Sequence, residues 1–128
     1  MLLHVPTLYA LVNFLAASKL ATDDFKKSIA TSRLDEFPPE EENLLGMFNA
    51  VVRLIHQVPQ LCDRIQFLGN LTQMGEAFMS GLRGDRAYCE NQNIIRLQDL
   101  CRACRDWPDD QQNTITLGED GTVFIVSA

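Results

Sequence analysis

Leu44, Phe48, Val51, Ile55, Val58, Cys62 and Ile65 recur at spacings of 4, 3, 4, 3, 4 and 3. Residues three and four apart stack on one side of an α-helix, so this run predicts a long helix with one continuous apolar face. Leu45, Val52, Leu54 and Leu61 widen that face, while Gly46, Asn49, Arg53 and His56 fall on the other side. No other run in the chain is as long, so the remaining elements are expected to pack around it. Pro59 lies inside the run, but the apolar phase passes through it from Ile55 and Val58 to Cys62 and Ile65. A true turn scrambles such a phase, which predicts a kink or a very tight break at residues 57–59.

Upstream, Pro6 suits the first turn of a helix, where its missing N–H is not needed. Leu8, Leu11, Val12 and Leu15 follow as a stripe. Thr22 before Asp23 and Asp24 reads as an N-cap with acids in the first turn of a second, short helix that carries Phe25 and Ile29. Phe37-Pro38-Pro39 breaks the chain, and Glu40, Glu41 and Glu42 open the long helix at the positive end of its dipole. Beyond Pro59, Leu68, Leu71, Met74, Phe78 and Leu82 continue the apolar spacing. Gly69 and Gly75 weaken that segment, and Gly81 and Gly84 end it. Ile94, Leu97, Cys101 and Cys104 mark a last helix closed by Trp107-Pro108.

The tail changes period. Ile115, Leu117, Val123 and Ile125 alternate with Thr114, Thr116, Thr122 and Phe124, the pattern of two strands. A three-residue loop at Glu119-Asp120-Gly121 sets Leu117 opposite Val123 and puts all four aliphatics on one face. A four-residue loop shifts the register and mixes the faces. The expected fold is mainly α: a single-domain bundle of about five helices with a C-terminal β-hairpin. The helices are expected over 6–19, 23–33, 40–58, 60–81 and 90–106, and the hairpin over 114–126.

With 46% apolar and 22% charged residues, the 128-residue chain has the composition of an ordinary globular domain. A net charge of −6 disfavours nonspecific binding to nucleic acid or to an anionic membrane, both of which require basic surface. The uncharged run Val5–Ser18 is too short to span a bilayer. It lacks the basic residue that precedes the apolar part of a signal peptide, so it is read as a buried helix and the chain as cytoplasmic.

Cys101-Arg102-Ala103-Cys104 is a lone C-x-x-C on the apolar face of a helix. Zinc knuckles come in pairs, and a thioredoxin-like motif sits at a helix start beside a parallel sheet. The cysteines are therefore expected to be core residues, with no metal or cofactor. A metal-binding or thiol-redox module built on Cys101 and Cys104 is the alternative. His56, on the polar stripe, reads as solvated. No spacing joins a histidine to a nucleophile, and there is no Gly-rich phosphate loop, so an enzyme is not expected.

From Arg33 onward every cation is arginine, and Arg83, Arg86, Arg96, Arg102 and Arg105 fall in a window with few acids. Arginine grips carboxylate and phosphate in a planar fork, so the window is a candidate docking patch for an acidic partner; intrachain pairing is its rival reading. The strand Thr122–Val126 is the second candidate. It carries no proline or lysine block, and Phe124 and Val126 point away from the helices. An open strand edge pairs with other strands, so Thr122, Phe124 and Val126 are expected to meet a second copy of the chain or another protein. The expected function is a non-enzymatic acidic docking module: an adaptor, inhibitor or secretion-type chaperone. An acidic mimic of nucleic acid, using residues 35–42 and 106–120, is a further alternative.

Overall fold

The computed structural model describes residues 1–32, 39–65, 87–108, 113–118 and 122–127. For residues 87–96, Leu117, Thr122 and Ser127 it describes the backbone alone. The chain is mainly helical and ends in an antiparallel β-hairpin. In order, the elements are β1 (Leu2–His4), α1 (Val5–Ala17), α2 (Asp23–Thr31), α3 (Glu41–Gln57), α4 (Ala87–Asp106), β2 (Asn113–Leu117) and β3 (Thr122–Ser127). Residues 60–65 are also helical. The expected apolar positions at Leu68, Leu71, Met74, Phe78 and Leu82, and the glycines at 69, 75, 81 and 84, lie outside the described residues.

α3 is the central element. It touches α1, α2, α4 and β2. Leu44, Phe48, Val51 and Ile55 of its stripe are fully buried, as are Leu61, Cys62 and Ile65 beyond it. α3 stops at Gln57, where Val58 leaves helical geometry (φ −133°, ψ 74°). The Val58 N–H still reaches the Leu54 carbonyl at 2.8 Å, and the Cys62 N–H already reaches the Pro59 carbonyl at 3.1 Å. The break is thus so tight that the helix resumes one residue past the proline and the same apolar face returns at Leu61 and Cys62. α2 begins on the expected cap: the Thr22 hydroxyl oxygen accepts from the Phe25 N–H at 3.2 Å. Phe25 then anchors α2 against the core.

The sheet has three strands in the order β1-β3-β2, antiparallel throughout. Leu117 stands opposite Val123, the register that the three-residue loop implies. Leu3, Val123 and Ile125 are buried against the helices, and Ile115 is partly covered. Here one expectation is corrected. β3 is not an open edge: Leu2 pairs with Phe124, Leu3 with Val123 and His4 with Thr122. The strand edge offered by Thr122, Phe124 and Val126 is filled by the chain's own first residues, so no second copy or partner can pair with it there. A three-residue strand is too short to show an alternation, which is why the periodicity missed β1.

Candidate docking surface

Residues that face each other across an antiparallel ladder lie on one side of the sheet. The outer row therefore runs Leu2, Phe124, Thr116, with Val126 beside Thr114 and His4 on the same side. Leu2 is 69% exposed, Phe124 48% and Val126 43%. These residues form an apolar patch with threonines around it, and no residue in these rows is charged. Leu2 and His4 also line a cleft of about 340 Å³ between β1, the start of α1, and Asp99 and Leu100 of α4. Phe124 and Val126 were readable from the hairpin pattern. Leu2 was not, because only its pairing with Phe124 gives it a role.

The arginine window is less of a unit. Arg83 and Arg86 lie outside the described residues, and of Arg96 only the backbone on α4 is described. Arg102 and Arg105 are exposed. Arg102 lies 3.9 Å from Asp99 one turn earlier, with side chains 55% and 71% exposed. A pair so long and so wet contributes little to stability.

The corner where α4 meets β2 is held from α3. The Trp107 ring meets Phe48 edge-on, with centroids 5.4 Å apart. Trp107 Nε1 donates to Asn113 Oδ1 at 3.3 Å, and Asn113 Nδ2 donates to Asn49 Oδ1 at 2.9 Å. His56 is not free in solvent: its Nε2 donates to the Cys104 carbonyl at 3.2 Å, since a carbonyl can only accept. Asn49 and His56, on the side of α3 that looked polar, thus serve as fasteners of this corner, and Arg53 alone of that group of side chains points to water.

The C-x-x-C does not act as a pair. Cys101 is bonded to Cys62, with Cα atoms 5.9 Å apart, which ties α4 to the helical residues after Pro59. Cys62, Cys101 and Cys104 are buried, as expected of core residues, and the first two are joined as well. Cys104 is the free, fully buried thiol, and burial pushes its pKa up to about 12. A thiol held protonated in this way is a poor nucleophile and a poor metal ligand. Among the described residues no group of three or more His, Cys, Asp or Glu is placed to hold a metal ion. None of the described helices is long and apolar enough to cross a membrane. A second cleft, about 280 Å³, opens between α2 and α3, where Asp24, Lys27 and Arg53 form an exposed, mixed-sign rim.

No protein-family model, curated protein or solved structure matches the chain.

Proposed function

We propose that this protein is a non-enzymatic docking module that meets a partner protein through the outer face of its sheet. The observation that carries the reading is the patch of Leu2, Phe124 and Val126, three large apolar side chains in open water on an uncharged face of an acidic chain. Single exposed apolar residues are ordinary, whereas a contiguous group on a rigid sheet marks an interaction site. The cleft beside Leu2 and His4 gives the flat face a recess in which a partner side chain can anchor. A metal or thiol-redox module has less behind it, because Cys101 is engaged with Cys62 and Cys104 is sealed in the core.

The test is a photo-crosslinking amino acid placed at Phe124, and in a control at Lys27 on α2, in the source cell. A discrete adduct from position 124 that is absent from position 27, and lost on adding Leu2→Asp, is expected. Identical adducts from both positions, or none from position 124, would refute the docking face.

A further inference from the structure

The hydrogen bonds at one end of the sheet fix which backbone groups point out of the other. The Met1 nitrogen donates to the Ile125 carbonyl at 2.7 Å, and the Ile125 N–H donates to the Met1 carbonyl at 2.8 Å. In an antiparallel strand, each residue turns its N–H and C=O to one side and the next residue turns them to the other. Ile125 and Val123 therefore face β1, and Phe124 and Val126 face β2. Their partners on β2, Thr116 and Thr114, face β3 in return. That leaves the N–H and C=O of Asn113, Ile115 and Leu117 directed away from the sheet.

Among the described residues no strand lies on that side of β2, and no backbone hydrogen bond from outside the sheet ends on Asn113 or Ile115. Native edge strands are usually blunted by a proline, a lysine, a bulge or an inward charge. Asn113-Thr114-Ile115-Thr116-Leu117 has no such residue, and its ladder to β3 runs without a bulge. The opposite edge of the sheet is β1, only three residues long and joined directly to α1.

We propose that the β2 edge pairs with the β2 edge of a second copy, antiparallel about a two-fold axis through Ile115, to form one six-stranded sheet. The strand is complementary to itself in that register. Ile115 faces Ile115 of the second copy and exchanges both hydrogen bonds with it. Thr114 faces Thr116, and Asn113 faces Leu117. No charge sits on Asn113–Leu117 itself, so the paired strands set no charged side chain opposite another. Threonine opposite threonine is a favourable cross-strand pair. An axis normal to the sheet keeps both outer faces on the same side. The row Leu2, Phe124, Thr116 then continues through Thr114 to Val126 of the second copy, and its mirror row runs beside it. The dimer does not depend on the docking reading above, and the two are tested by different readouts.

The experiment measures the mass of the full chain by sedimentation equilibrium over a wide range of concentration. Wild type is expected at twice the chain mass. The double variant Thr114→Lys, Thr116→Lys sets lysine opposite lysine and is expected at the monomer mass, folded, with a melting temperature that no longer rises with protein concentration. Thr114→Lys, Thr116→Glu sets lysine opposite glutamate in this register alone, and is expected to remain dimeric. Amide exchange provides a reading that needs no variant: the Ile115 N–H is expected to gain protection as wild-type concentration rises. A monomeric wild type at every concentration overturns the proposal, including one whose β2 edge accepts a foreign peptide. So does a lysine–lysine variant that stays dimeric, a lysine–glutamate variant as monomeric as it, or an Ile115 amide that exchanges freely at the highest concentration.

Discussion

Leu2 stands directly opposite Phe124, so the residues at the two ends of the chain form one exposed apolar pair on the outer face of the sheet. The next pair along, Leu3 and Val123, points the other way and is fully buried. One short strand thus supplies both an outward contact and a part of the core.

The two faces predict opposite outcomes. Leu3→Ala removes a buried side chain that the sheet and helices surround, and is expected to cost about 2–5 kcal/mol of unfolding free energy. Phe124→Asp alters a half-exposed ring on the outer face, and its cost is expected to stay near the ~1 kcal/mol range of strand preference. Urea unfolding of both variants checks this. A Phe124→Asp variant as unstable as Leu3→Ala would mean that the outer face is covered within the folded chain, and the docking surface would be lost.

Asn113 bridges Asn49 and Trp107, and it is almost completely buried. Asn113→Ala leaves the Asn49 oxygen and the Trp107 N–H without partners, at an expected cost of about 1–3 kcal/mol. In a double-mutant cycle with Asn49→Ala the two effects are expected to be far from additive, because each substitution breaks the same bond. Additive costs would place the stability of this corner in the Phe48–Trp107 contact instead.

The Cys62–Cys101 bond spans a sequence separation of 39. Closing a loop of that length in the unfolded chain corresponds to about 4 kcal/mol in the chain-entropy description. Cys62→Ala is expected to lower the unfolding free energy on that scale under oxidising conditions and to matter far less once wild type is reduced. Because both sulfurs are buried, dithiothreitol is expected to reduce the bond quickly in urea and slowly in the native protein. Equal rates in the two conditions would show that the bond is open to solvent.

Cys104 links stability to alkaline pH. Its thiol titrates at 9.0 in the unfolded reference and near 12 in the folded protein, because burial disfavours the thiolate. The folded pKa is the higher one, so this contribution is complete below pH 9 and is lost as the pH rises from about 9 towards 12. Cys104→Ala is expected to lower stability at neutral pH through lost packing, yet to flatten the fall above pH 9. An alkaline slope identical to that of wild type would remove Cys104 as its source. Native protein is also expected to resist iodoacetamide at this thiol, as judged by mass spectrometry.

The sequence by itself determined what local periodicity can determine. The 3–4 spacing from Leu44 to Ile65 dictates α3 and its buried face, and Thr22 with its two aspartates dictates where α2 begins. The three-residue loop dictates that Leu117 meets Val123. Each of these follows from residues within a few positions of one another. The pairing of Leu3 with Val123 does not, since a three-residue strand has no period to read and its partner lies at the far end of the chain. Nor does the choice of Cys62 for Cys101, because four cysteines permit three complete pairings and spacing alone does not select among them. Asn49 and His56 look solvated by helical phase, and only the approach of Trp107, Asn113 and the end of α4 turns them into fasteners. The outer face follows the same division. Alternation alone exposes Phe124 and Val126, but the tertiary structure adds Leu2 and moves the open strand edge from β3 to β2, because a hydrogen-bonding edge is defined by its neighbours in space and not by its own residues.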